Sequence, residues 1–97
     1  MEEVLVESYS QVVNSWVIRT PGRKFPALVI QGDSYSQLFD LAQSIVERTR
    51  SHPSADPELL GEAEELRDMI WGKLHNYEVT LRENGFTLPY VRTAWPK

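Results

Sequence analysis

The stretch from Ser15 to Ser36 constrains this chain more than any other, because it spells a hairpin followed by the start of a helix. The runs Trp16 to Thr20 and Ala27 to Gln31 are rich in the β-branched residues that fit a pleated, half-buried surface. Between them stands Pro21-Gly22-Arg23-Lys24-Phe25-Pro26. Pro21 presets its own φ and pushes Thr20 into an extended conformation. Gly22 is free to take the positive φ that a type II turn needs. The pattern predicts an antiparallel hairpin with a longish basic loop. Gly32 breaks the second strand, and Asp33 or Ser34 can cap a new helix by accepting from its free N–H groups.

Upstream, Val4 to Tyr9 reads as a first strand, so a three-stranded antiparallel meander is the simplest topology. If Trp16, Ile18, Leu28 and Ile30 face the helices, Val17, Ala27 and Val29 face away and need a cover, from the C-terminal tail, a second copy or a partner protein. The first helix is expected over Ser34 to Arg50, with Leu38, Leu41, Ala42, Ile45, Val46 and Thr49 as its buried stripe. Ser51-His52-Pro53-Ser54-Ala55-Asp56-Pro57 ends it. Asp56 then sits as N-cap with Pro57 at the first helical position. The second helix is expected over Pro57 to Asn84, with the stripe Ala63, Leu66, Ile70, Leu74, Tyr77 and Leu81. Asn84-Gly85-Phe86 is a C-terminal stop that uses the left-handed freedom of Gly85. Gly72, in mid-helix, costs about 1 kcal/mol relative to alanine, which a close contact or a bend would explain. The tail from Phe86 to Lys97, with Leu88, Tyr90, Val91 and Trp95, is too apolar to be solvated and should pack as an extended segment.

The expectation is therefore one α+β domain over residues 1–97: a β-meander (1–32) packed on two long antiparallel helices (34–84), closed by an extended C-terminal tail (85–97). A chain of 97 residues supports one modest core. It holds no cysteine, which excludes disulfides, thiolate zinc sites and a cysteine nucleophile. No apolar run approaches the roughly 20 residues of a membrane span. The acidic start Met1-Glu2-Glu3 lacks the positive opening of a secretory signal, so the cytoplasm is the expected location. A net charge of −4 disfavours direct nucleic-acid binding.

The segment Val17 to Ser34, with its Arg19, Pro21-Gly22-Arg23, Phe25-Pro26 and Gln31-Gly32-Asp33-Ser34, resembles an uncharacterised family of small bacterial proteins. Asn84-Gly85-Phe86-Thr87-Leu88-Pro89-Tyr90 is similar to that family's ending. The resemblance implies a strand-rich first half followed by helices. It carries over no catalytic residue. Many such small families look like immunity proteins paired with secreted toxins.

Candidate chemistry is sparse. His75 and Glu78 lie one turn apart, but a zinc site commonly takes three or four ligands, so no metal site is expected. Ser34 and Ser36 have no neighbouring histidine or nucleophile-elbow glycines. Glu62, Glu65 and Asp68 read as a solvated helix face. Gly32-Asp33-Ser34 lacks the further glycines and the lysine of a phosphate loop. No cofactor is implied.

What remains points to a partner. Trp71, with Arg67, Glu64, Glu65 and Asp68 around it, is the first candidate interface, an aromatic anchor rimmed by charge, with core packing of the ring against the tail as the equal alternative. Arg19, Arg23 and Lys24, the basic hairpin tip, are the second. The expected function is non-catalytic protein binding, most concretely an immunity protein that neutralises a toxin domain, with nucleic acid as that toxin's target. A small homo-oligomeric adaptor is the alternative, and a small enzyme the third. The protein itself would be a monomer or a homodimer.

Overall fold

The computed structural model describes residues 1–92. Three short strands, β1 (Glu7–Ser10), β2 (Trp16–Arg19) and β3 (Ala27–Val29), precede two helices, α1 (Gly32–Ser51) and α2 (Pro57–Glu83). The strands form an antiparallel meander in the order β1-β2-β3, so the class is α+β as the sequence implied. β1 begins later than expected, and Val4, Leu5 and Val6 lie outside it.

The turn chemistry is local and follows the sequence. Gly22 has φ 78° and Arg23 N–H donates to the Thr20 carbonyl, which closes the Pro-Gly turn. Asp56 caps α2 by accepting from the Glu58 N–H at 3.0 Å, with Pro57 following it. At the other end Gly85 has φ 79°, Gly85 N–H reaches the Arg82 carbonyl and Phe86 N–H the Leu81 carbonyl. Those two bonds make a Schellman stop. The start of α1 differs from expectation. Its N-cap is Gln31, without a side-chain cap bond, and Gly32 is already helical. Gly32 is buried under the Tyr77 ring, which occupies the space a Cβ would take. Gly72, by contrast, has open space around its missing Cβ, so no close contact explains it.

The helices pack antiparallel through Phe39, Ala42 and Val46 of α1 and Leu74 of α2. The expected α1 stripe needs correction at three positions and the α2 stripe at one, since Leu74 is buried and Ala63, Ile70, Tyr77 and Leu81 are half-buried. On α1 the buried positions are Gly32, Ser36, Phe39, Ala42, Gln43 and Val46, whereas Leu38, Leu41 and Ile45 are exposed. The contact line is rotated by about a quarter turn from the apolar stripe at 100° per residue. On α2 Leu66 is exposed, while Arg67 and Glu78 are buried beside Leu74. The reason is that the polar groups supply their own partners. Arg67 Nη1 donates to Gln43 Oε1 at 3.1 Å and Arg67 Nε to Asp68 Oδ1 at 2.9 Å. Gln43 Nε2 in turn donates to Glu47 Oε1 at 3.0 Å. A polar group so bonded can be enclosed at little net cost, and hydrophobic periodicity does not see it.

The sheet was expected to pack on the helices, yet no strand comes within 8 Å, Cα to Cα, of either one. It meets them at one end only, where Leu28 and Ile30 join Gly32, Tyr35, Lys73, Leu74 and Tyr77 around an open cleft of about 320 Å³. The molecule is accordingly long, 51 × 31 × 23 Å, with a radius of gyration of 16.4 Å. A compact chain of this length has about 12–13 Å.

Candidate functional site

The first candidate interface is occupied from within. Trp71 is half-buried, its ring 5.4 Å from Phe39 and 5.1 Å from His75. Arg92 lies over the indole at 4.4 Å from its centroid. Arg67 is buried and bonded as described above. Glu64 is half-buried and pairs with Arg50 at 3.2 Å. Glu65 and Asp68 are exposed. The structure therefore gathers Trp71, Arg67 and Asp68 along the helix seam without leaving the indole as an open anchor.

Arg92 belongs to a latch that the sequence did not reveal. Glu78 is fully buried on α2; it accepts from the Tyr90 hydroxyl at 2.7 Å and pairs with the Arg92 guanidinium, with Arg82 at 3.9 Å. Burial pushes the Tyr90 hydroxyl up to about 12 and lowers Arg92. The described part of the tail thus touches α2 through Tyr90 and Arg92, whereas Phe86 and Val91, expected to pack, are exposed; Trp95 lies outside the described residues. Among the described residues no group of three His, Asp or Glu side chains could hold an ion.

The second candidate is split. Arg19 reaches across the sheet to Glu7 at 2.5 Å, while Glu7 also accepts from the Tyr9 hydroxyl at 2.6 Å. The Tyr9 bond first, and Arg19 second, hold the Glu7 carboxyl below its usual range, and Glu7 raises both Tyr9 and Arg19 in return. Arg23 and Lys24 remain on the exposed loop, with Lys24 Nζ 5.5 Å from the Phe25 centroid.

Two uncovered apolar surfaces are more conspicuous. In the sheet, Trp16 pairs with Val29, Val17 with Leu28 and Ile18 with Ala27. Directly paired residues share a face. So Trp16, Ile18, Ala27 and Val29 lie on one face, and Val17 and Leu28 on the other, together with Glu7 and Arg19. The expected grouping of Leu28 with Trp16 is wrong by one residue of register, which flips a strand's faces. Leu28 points toward the helix end, which leaves the Trp16 face without a cover among the described residues.

The second surface is on the helix pair. Measured from the α1–α2 contact line, Leu38, Leu41 and Ile45 lie to the same side of the hairpin as Leu59, Leu66 and Met69. Two clefts confirm the side, one joining Tyr35 to Lys73 and Tyr77, the other Thr49 and His52 to Leu59. The latch of Tyr90 and Arg92 occupies the opposite side, over Trp71 and Glu78.

These features define a class: a small α+β protein in which a β-meander stands beyond an antiparallel helical hairpin, and in which no helix among the described residues is long and apolar enough to cross a membrane. Residues 1–90 match the family of unknown function DUF6959, and the chain belongs to that family. No curated protein and no solved structure matches it.

Proposed function

We propose that this protein acts by binding another protein rather than by catalysis, as an immunity protein that occupies and neutralises a toxin domain in the bacterial cytoplasm. The observation that carries the reading is the uncovered sheet face of Trp16, Ile18, Ala27 and Val29, standing clear of the helices. A three-stranded sheet is about the smallest that stands alone, and covering its apolar face adds to its stability. The described part of the tail lies on α2, and this reading gives the sheet's cover to a partner. Exposed backbone at β1 and β3 adds edges on which a partner strand can pair. The net charge of −4 supports a basic partner, of the kind a nucleic-acid-targeting toxin would present, over nucleic acid itself. The acidic residues Glu62 and Glu65 form no ion pair among the described residues and contribute to that field.

The test is co-expression with each protein encoded beside this gene, to find one that is toxic alone. An equimolar complex and protection of the cell are expected. The double substitution Trp16→Asp, Val29→Asp should abolish both while leaving the helical circular dichroism intact. Failure of the wild-type protein to bind or protect overturns the proposal, as does full binding by the double variant.

A further inference from the structure

We infer that the uncovered face of the helical hairpin is a self-complementary surface that takes a second copy of this chain, forming an antiparallel four-helix bundle. This goes beyond the proposed partner and concerns a different surface. The starting observation is the distribution of large apolar residues. The buried core holds Phe39, Ala42, Val46 and Leu74, whereas Leu38, Leu41, Ile45, Leu59, Leu66 and Met69 are each 45–66% exposed on one side of the hairpin. At roughly 90 Å² apiece these six present on the order of 500 Å² of apolar surface per copy, near the upper end for a lone monomer. A standard interface takes about 800 Å² from each partner, and the stems of Glu62 and Lys73 beside these residues supply more.

Charge chooses the occupant. Along α2 the positions Glu62, Leu66, Met69 and Lys73 follow one another at steps of four, three and four, so they form a single row on this face. The row reads negative, apolar, apolar, positive. A two-fold axis in the interface, perpendicular to the helices and passing between Leu66 and Met69, reverses the row onto itself. Glu62 of each copy then meets Lys73 of the other, and Leu66 meets Met69. The same axis lays Leu38 of α1 against Ile45 of the second copy, with Leu41 near the centre. A surface that is its own complement under a two-fold rotation satisfies the requirement of an isologous dimer. Neither Glu62 nor Lys73 has an ion-pair partner within the chain among the described residues. A face of this length on two antiparallel helices is the usual seam of a four-helix bundle.

The absence of cysteine makes the test clean. In the double variant Glu62→Cys, Lys73→Cys the two thiols lie eleven residues apart on one helix, about 16 Å. That is beyond the roughly 7 Å reach of an intrachain disulfide. Oxidation of the folded variant should give a dimer in non-reducing electrophoresis, and each single variant should give far less. Sedimentation of the unmodified full chain should show a dimer at tens of micromolar that Leu66→Glu converts to monomer. Lys73→Glu should weaken the dimer at least tenfold, and the swap Glu62→Lys, Lys73→Glu should restore it. A chain that sediments as a monomer at 100 µM overturns the inference. So does a dimer whose double-cysteine variant fails to cross-link, or one broken by Trp16→Asp and not by Leu66→Glu, since its contact then lies on the sheet or runs in another direction.

Discussion

Replacing Glu78 by glutamine separates the charge of the latch from its shape. The carboxylate is fully enclosed, takes the Tyr90 hydroxyl at 2.7 Å and faces the Arg92 guanidinium. The amide keeps the volume and one acceptor oxygen. A hydrogen bond to a charged group contributes about 1.5–3 kcal/mol and a neutral one about 0.5–1.5, so the Tyr90 bond loses about 1 kcal/mol. Arg92 is left as a cation without its counter-charge. Removing one member of a fully buried pair costs about 3–5 kcal/mol. The Arg92 side chain is 17% exposed and can reach water on one side, which places its share lower, at about 2 kcal/mol. The sum, about 3 kcal/mol, lowers the melting temperature by about 12–24 °C in a domain of this size. Thermal unfolding followed at 222 nm, with guanidinium titration as a second measure, reads it directly. In a double-mutant cycle Arg92→Met should cost much less in the Glu78→Gln background than alone. A loss below 1 kcal/mol, or additive costs in the cycle, refutes the latch.

Three further outcomes follow from the same packing. Trp71→Ala should destabilise the fold by about 3 kcal/mol, because the ring fills the seam against Phe39 and carries Arg92; a guanidinium midpoint equal to wild type would show the ring to be peripheral. Gly72→Ala should stabilise by up to about 1 kcal/mol, since its Cβ meets open space, whereas Gly32→Ala should cost about 1–3 kcal/mol because the Tyr77 ring stands in the way; paired melting curves distinguish the two. Tyr90, raised from 10 to about 12, favours the fold in its neutral form. Its contribution is complete below pH 10 and is lost as pH rises through 12, so absorbance at 295 nm should show a tyrosine ionising near 12 that Tyr90→Phe removes.

Local chemistry makes the punctuation of this chain legible from its residues alone. The Pro21-Gly22 turn, the Asp56-Pro57 helix start and the Gly85 stop each rest on the conformational limits of one or two residues, and each stands where those residues require it. The three strands, the two helices and the α+β class follow from that punctuation. Which way each helix faces is decided elsewhere. Apolar periodicity points to Leu38, Leu41, Ile45 and Leu66, all of which are exposed. The contact line instead runs through Gln43, Arg67 and Glu78, which enter the interior because each finds a hydrogen-bond or ionic partner there. Those partners are 24 residues away for Gln43 and 12 for Glu78, beyond any local pattern. The same holds for Trp71, for which the sequence leaves an anchor and packing against the tail equally open, and which is half-buried against Phe39 and Arg92. Sequence determines an element's boundary where a cap or turn acts over a few bonds, as at Pro21-Gly22, Asp56-Pro57 and Gly85, though not at the starts of β1 and α1. The tertiary structure alone determines which face of it is buried, because the free energy of enclosing a polar or apolar group depends on what the rest of the chain brings against it.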